Sequence, residues 1–251
     1  MQSATMKIDR HARMRVGTAI AVYVWQYPLR LVHWGLVISI ALMSLTGYYI
    51  HDPYIVGQTR TPFLMGTFRF VHEVCGMVLL ALFLLRFYLL FAGDRWVRWR
   101  AMLPLRKDAW QEMWQMIRFY LFLRPTPIAK VGHNALAAMM YLGLYCLVLV
   151  EILTGLAMFN WLLHNPVLGI FVSWIPRFMG VQNMRLTHYL LMFVFISFGI
   201  FHVHICLLVS RTERRGLVDS IFTGYKVIPV DELEEDDHKA ILTSRGRGVA
   251  K

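Results

Sequence analysis

Four long apolar runs constrain this chain more than any other feature, because each is long enough to cross a membrane. A transmembrane helix needs about 20 predominantly apolar residues to cross a hydrocarbon core of about 30 Å. The predicted spans lie at about 31–50, 70–92, 135–158 and 186–209. The chain is 57% hydrophobic and only 16% charged, whereas soluble domains are about 25% charged. The sequence therefore predicts an all-α, integral membrane four-helix bundle and argues against a disordered protein or a water-soluble enzyme.

Two shorter segments are predicted to lie along the membrane surface. Residues 110–123 place aromatic side chains at helical spacing with Gln, Glu and Arg between them, which is typical of an amphipathic helix at the interface. The apolar stretch 161–179 contains Pro166 and Pro176, so we interpret it as a partly helical interfacial segment on the outer face. A fifth span there would put the two basic ends of the chain on opposite sides.

The distribution of Lys and Arg predicts the orientation of the spans. The first 30 residues carry five, the 94–134 loop eight and the segment from residue 211 onwards eight, whereas the 51–69 and 159–185 loops together carry four. The positive-inside rule then places both termini and the 94–134 loop in the cytoplasm. The net charge of +11 is thus explained by topology without nucleic-acid binding. The predicted organisation is a cytoplasmic segment at 1–30, a membrane domain at 31–209 and a cytoplasmic tail at 210–251.

Several of the ten histidines lie in or at the ends of the predicted spans, where ionisable groups are costly and usually functional. His188 and His202 are fourteen residues apart, which is about 21 Å along a helix and about 40° short of full turns, so they face nearly the same way. His72 opens span two at the outer level and His33 opens span one at the inner level. His204 lies on the opposite face. The spacing predicts two metal centres at two depths, His72/His188 outer and His33/His202 cytoplasmic.

Paired imidazoles are typical axial ligands of low-spin haem in electron-transfer proteins. Cys75, Cys146 and Cys206 lie inside apolar runs, and no C-x-x-C-H motif is present, so the predicted groups are two non-covalent haems b and not c-type haem. Zinc or copper fits less well, since neither needs two sites of two histidines at separate depths. The alternative for any single histidine is a helix–helix hydrogen bond.

Three more residues are candidates for the haem environment, and the role of a fourth, Glu151, is open. Gly47 lies fourteen residues after His33 and Gly76 one turn after His72, where a glycine would let a porphyrin lie against the backbone; helix packing is the alternative. Arg86 could pair with a haem propionate or extend its head group to the interface. Glu151, deep in span three, could be a protonated hydrogen-bonding group or could transfer protons.

The ordered motifs of the chain resemble those of the b-type cytochrome subunit of membrane-bound nickel–iron hydrogenases. The resemblance runs from about residue 22 to residue 227. Its pieces are LRLVHW at 29–34, LTGYYI at 45–50, FLMGTFRFVHEVCGM at 63–77, FYLFL at 119–123, GHNALA at 132–137, ILTGLAM at 152–158, the His188…His202 spacing and TGYK at 223–226.

That resemblance implies a dihaem, four-helix subunit that anchors a periplasmic hydrogenase. It would take electrons from the iron–sulfur clusters of the hydrogenase small subunit and deliver them to quinone. The small subunit would in turn connect it to the hydrogenase large subunit. The matching positions imply His72 and His188 as ligands of the outer haem and His33 and His202 as ligands of the cytoplasmic one. His133 and Asn134 become candidates for quinone binding or protonation, with helix capping the alternative for Asn134. The resemblance thus implies an electron-transfer subunit of a hydrogen:quinone oxidoreductase complex.

Two other functions remain open at this stage. Formate dehydrogenase membrane subunits are similar in having four helices and a comparable histidine layout, although the GHN, FLMG and TGYK pieces favour the hydrogenase type. A haem-free membrane anchor is the second alternative.

Overall fold

Four long helices dominate the computed structural model of the protein. The structure describes residues 12–16, 19–54, 63–94, 96–103, 107–128, 134–213 and 216–229. The long helices are α1 (Tyr27–His51), α2 (Leu64–Ala92), α5 (Ala135–Leu163) and α8 (Val181–Glu213). All four are long and apolar enough to cross a membrane. The predicted four-span, all-α architecture is confirmed, and each helix contains one predicted span.

The long helices bury little of their apolar surface within the chain. Leu45 on α1 is 68% exposed and Ile200 on α8 is 70% exposed. Such side chains would be unfavourable in water but suit contact with lipid tails. The helices also extend several residues beyond the predicted runs, because backbone groups in or near lipid must be hydrogen-bonded within the segment.

Five short helices complete the described helical structure. They are α3 (Trp99–Met102), α4 (Lys107–Tyr120), α6 (Pro166–Val172), α7 (Trp174–Met179) and α9 (Leu217–Thr223). Helix α4 corresponds to the predicted amphipathic helix: Trp110 and Trp114 are exposed, whereas Met116 and Phe119 are buried against Val209. The predicted amphipathic segment is therefore helical, beginning three residues earlier and ending three residues earlier than expected.

Helices α6 and α7 lie in the 161–179 stretch that was predicted to be partly helical. The Asn165 side-chain oxygen accepts hydrogen bonds from the backbone of the first turn of α6, and Pro166 occupies a position where its missing N–H costs nothing. Val172 and Ile175 are buried, whereas Phe178 is exposed. The prolines that interrupt this run thus start short helices and keep the segment from forming a fifth span.

The described residues form two compact units. One contains residues 31–88 and 141–202, and the other contains the remaining described parts of the chain. The first unit has a core of buried apolar side chains from three long helices: Leu79, Val148, Ile152, Leu191 and Phe195. A second cluster in the same unit packs α6 and α7 on α5 and α8 through Ala157, Val172, Ile175 and Met184.

The other unit contains a small antiparallel sheet that the sequence analysis did not predict. Its strands β1 (Ala12–Val16), β2 (Ala19–Tyr23) and β3 (Tyr225–Pro229) are ordered β1-β2-β3. Residues of β2 pair with β3 from Ala19 opposite Pro229 to Tyr23 opposite Tyr225. The segments before the first long helix and after the last one are therefore joined by backbone hydrogen bonds.

The junction between this sheet and α9 depends on Gly224. Its φ of +89° lies in the left-handed region, and a Cβ there would collide with the ring of Tyr23. Its carbonyl accepts hydrogen bonds from the backbone N–H groups of Val24 and Trp25. The indole of Trp25 in turn donates to Ser220 Oγ at 3.0 Å. The glycine of the TGYK motif is thus required by backbone geometry.

Candidate functional site

The structure brings the predicted outer histidines together. His72 on α2 and His188 on α8 face each other with ring centroids 6.2 Å apart and ring planes inclined by 67°. Both side chains lie within the unit formed by residues 31–88 and 141–202. Two residues separated by 116 positions therefore meet as the helical spacing predicts.

The predicted inner histidines are paired in the same way. The ring centroids of His33 on α1 and His202 on α8 are 6.3 Å apart, with ring planes inclined by 49°. His202 stacks on Phe198 at 5.6 Å and meets the edge of Tyr141 at 6.3 Å. His204, two residues further on, is exposed, in agreement with its expected place on another face of α8.

Both pairs have the separation that two imidazoles have on opposite sides of one metal ion. A metal–imidazole nitrogen bond is about 2.0–2.1 Å, and ring centroids lie about 1.2 Å beyond the nitrogen, so two trans rings have centroids about 6.4 Å apart. Among the described residues, no group of three or more His, Cys, Asp or Glu side chains could hold a metal. Two protein ligands suffice where a porphyrin supplies the other four, so the pairs fit haem iron.

Two threonines contact the outer histidines. Thr46 Oγ1 lies 2.9 Å from His72 Nδ1, and Thr154 Oγ1 lies 3.0 Å from His188 Nδ1. Each hydroxyl also donates to the carbonyl four residues earlier in its own helix, at 2.8 Å. Neither threonine was among the predicted site residues, although they share a visible signal: each is the middle residue of a Leu-Thr-Gly triplet, at 45–47 and 153–155.

The glycine of each triplet makes room for the histidine that the threonine before it contacts. A Cβ at Gly47 would lie 3.1 Å from His72 Cε1, and a Cβ at Gly155 would lie 3.1 Å from His188 Cε1. A side chain at Gly47 would thus contact an outer histidine, and the role of Gly47 in a haem environment stays a prediction. Gly155 was missed. The nearest heavy atom to a Cβ at Gly76 would be Met43 Cε at 3.8 Å, which is an ordinary contact and no sign of a cradle.

Glu151 lies beside His188, with Oε1 3.4 Å from Nδ1. The residue is 9% exposed, and its Oε2 is buried without a hydrogen-bond partner. A separation of 3.4 Å exceeds the usual range for an N–H···O hydrogen bond, so Thr154 is the closer acceptor for the histidine N–H.

Arg86 is buried in the same unit, only 4% exposed. Its Nε donates to the hydroxyl of Tyr145 at 2.8 Å, and its guanidinium carbon lies 5.1 Å from the centre of that ring. A buried guanidinium does not fit the alternative in which the side chain extends to the membrane surface. A buried cation requires anionic or polar partners, and a propionate would be one.

The two candidates for quinone binding are only partly described. His133 lies outside the described residues. Asn134 caps α5: its Oδ1 accepts a hydrogen bond from Ala137 N at 2.8 Å. The capping role that was the alternative for Asn134 is thus present, and quinone binding by these residues stays a prediction.

An apolar bundle of membrane-length helices that pairs histidines at two levels is the arrangement of a membrane-bound b-type cytochrome. The sequence comparisons agree. A family described as "Prokaryotic cytochrome b561" matches residues 24–224, and the chain belongs to that family. Membership of a cytochrome b family implies haem b as cofactor and a multi-pass membrane protein.

Curated relatives cover most of the chain. A protein of Azotobacter vinelandii is 32% identical over 226 residues, covering 86% of this chain and 93% of the relative. One from Escherichia coli K12 is 31% identical, covering 82% and 91%, and one from Cupriavidus necator is 32% identical, covering 82% and 87%. The first and third are named "Probable Ni/Fe-hydrogenase B-type cytochrome subunit", and the second "Probable Ni/Fe-hydrogenase 1 B-type cytochrome subunit". The family resemblance inferred from the sequence motifs is confirmed.

Proposed function

We propose that this chain is a dihaem electron-transfer subunit that carries electrons across the membrane from a nickel–iron hydrogenase to quinone. The observation that carries the proposal is the presence of two histidine pairs whose rings are 6.2 and 6.3 Å apart. Each pair has the spacing of two axial ligands on one iron. Bound haem would supply a one-electron carrier whose iron has no open position for substrate.

The protein residues have distinct roles in this proposal. His72 and His188 hold the outer haem, and His33 and His202 hold the inner one. Glycines at the outer pair leave room beside the ligand rings. Arg86, buried and already bonded to Tyr145, places a fixed positive charge for a propionate.

The two levels of the pairs support transfer along the membrane normal. His188 and His202 lie on one helix, fourteen residues and thus about 21 Å apart along its axis. The distribution of Lys and Arg favours a cytoplasmic location for the N-terminal and C-terminal segments that form the sheet. His72 and His188 would then lie near the outer side of the membrane. The membrane domain at 31–209, flanked by the cytoplasmic segments 1–30 and 210–251, belongs to the same proposal.

The partner follows from the relatives. Proteins about 31% identical over most of this chain are named as Ni/Fe-hydrogenase subunits. We assign the electron donor as the iron–sulfur small subunit of a periplasmic hydrogenase, which this subunit would also anchor to the bacterial inner membrane.

Quinone reduction is proposed at the cytoplasmic side near His133 and Asn134. The test is His133→Ala in the intact complex, with the haem spectrum recorded on the same sample. Loss of quinone reduction with an unchanged spectrum supports this location. Retained quinone reduction places the site elsewhere.

The experiment that tests the proposal as a whole is purification of the complex in detergent, with haem stoichiometry, reduced-minus-oxidised spectra and identification of co-purifying subunits. We expect two haems b per chain and hydrogenase subunits. A formate dehydrogenase partner would favour the alternative cytochrome function. The absence of a b-type spectrum would leave only the anchoring role.

A further inference from the structure

The outer histidine pair is flanked by two threonines that come from two different helices. Thr46 on α1 contacts His72 on α2, and Thr154 on α5 contacts His188 on α8. In each case a threonine of one long helix reaches a histidine of the next long helix along the chain. The contacts are therefore repeated in the two halves of the membrane domain, although the chain shows no overall sequence repeat.

The hydroxyl protons of both threonines are already in use. Each Oγ1 donates to a carbonyl of its own helix, Thr46 to Leu42 and Thr154 to Val150, at 2.8 Å. A hydroxyl has one proton and two acceptor lone pairs. Toward the histidine each oxygen can therefore only accept, and the proton in each contact must belong to Nδ1.

A neutral imidazole with its proton on Nδ1 has a lone pair on Nε2. This is the tautomer that binds a metal through Nε2. Metal-ligating histidines commonly donate their other ring N–H to an oxygen, which fixes the ring orientation and increases the donor strength of the ligand. The glycine after each threonine lets the ring approach, since a Cβ there would lie 3.1 Å from Cε1.

We propose that Thr46 and Thr154 are positioning residues for the outer haem, which hold His72 and His188 in the Nδ1–H tautomer with Nε2 directed at the iron. The inference rests on the proposed dihaem function and deepens it. It concerns the outer pair; on the inner pair, His33 Nδ1 is buried without a protein hydrogen-bond partner. The outer haem is therefore tuned by hydrogen bonds that His33 does not make.

The test uses the full complex carrying Thr46→Val and Thr154→Val, singly and together, since valine keeps the shape of threonine but cannot accept a hydrogen bond. The matched control is Thr67→Val: Thr67 also donates to the carbonyl four residues earlier, that of Phe63 at 3.1 Å, and is exposed. Thr46→Ser and Thr154→Ser keep the hydroxyl. The readouts are haem content, the midpoint potential of each haem and the electron paramagnetic resonance signal of each ferric haem.

The double valine variant should raise the midpoint potential of one haem and shift its ferric signal, or lose that haem, while the other haem keeps both values. A weaker hydrogen bond makes the imidazole a poorer donor and destabilises ferric iron. The serine variants and Thr67→Val should match the wild type.

Three results would overturn the inference while leaving the proposed function intact. The first is two haems with unchanged potentials in the double valine variant, and the second is serine variants that behave like the valine variants. The third is equal shifts of both haems, because they would indicate a general loosening of the bundle. A wild-type complex without haem would overturn the proposed function and this inference with it.

Discussion

Gly155 offers a quantitative test of how closely the protein backbone surrounds an outer ligand. Replacing it with alanine would put a Cβ 3.1 Å from His188 Cε1. Ordinary contacts between carbon atoms are about 3.5–4.0 Å, so the ring or the helix must move by at least about 0.4 Å. Metal–ligand distances tolerate only about 0.2 Å. The displacement therefore exceeds what the bond to the iron can absorb without strain.

The expected cost is that of overpacking a well-packed interior, about 1–3 kcal/mol. Since about 1.4 kcal/mol corresponds to a tenfold change, Gly155→Ala should weaken binding of the outer haem by about 5- to 150-fold. The inner haem should be unaffected. The backbone itself should not suffer, because alanine is favoured over glycine in a helix by about 1 kcal/mol.

The assay is the haem content of the detergent-purified complex after graded dilution and washing, with the spectrum of each retained haem. The matched control is Gly143→Ala on the same helix, where an added Cβ would have no heavy atom within 4 Å. If Gly155→Ala and Gly143→Ala retained both haems equally, the close approach of α5 to His188 would have no bearing on haem binding.

Three further predictions concern other parts of the chain. Replacing His202 with alanine should leave one haem per chain, whereas His204→Ala should leave two; the reverse result in haem stoichiometry would contradict the assignment of faces on α8. Arg86→Met should weaken haem retention by about 10- to 150-fold, because a hydrogen bond to a charged group contributes about 1.5–3 kcal/mol. Tyr145→Phe should have a smaller effect. Equal retention in the two variants would argue against propionate binding by Arg86. Gly224→Ala should destabilise the three-stranded sheet, since a non-glycine residue in the left-handed region costs about 1–2 kcal/mol. The rate of amide hydrogen exchange in the second strand should rise while the haem spectrum is unchanged. An unaltered exchange rate would refute the role of Gly224 in the sheet.

The spans and the level of each histidine along its helix could be predicted because each depends on one helix at a time. Hydropathy alone identifies a helix of membrane length, and the angle between His188 and His202 follows from helical geometry. The contacts of Thr46 and Thr154 could not be predicted in this way. They depend on how two helices are rotated against each other, and helices that are apolar on all sides carry little sequence signal for that rotation.

The small sheet escaped prediction for a different reason. Strand β2 is a five-residue apolar run, AIAVY, which is too short to be told from a helical segment by periodicity. Its partner β3 begins about two hundred residues later. Nothing local to either segment indicates the pairing, and the TGYK motif at 223–226 marks only the turn from α9 into β3.

That pairing also limits the topology of the chain independently of its charges. Strands β2 and β3 are hydrogen-bonded to each other along five residue pairs, and all four long helices lie between them in sequence. Two segments can pair only if they are on the same side of the bilayer, so the number of crossings between them must be even. Strands β2 and β3 can therefore pair only after the fourth helix has been inserted. In a chain that failed to insert one helix, the two strands would lie on opposite sides of the membrane and could not pair.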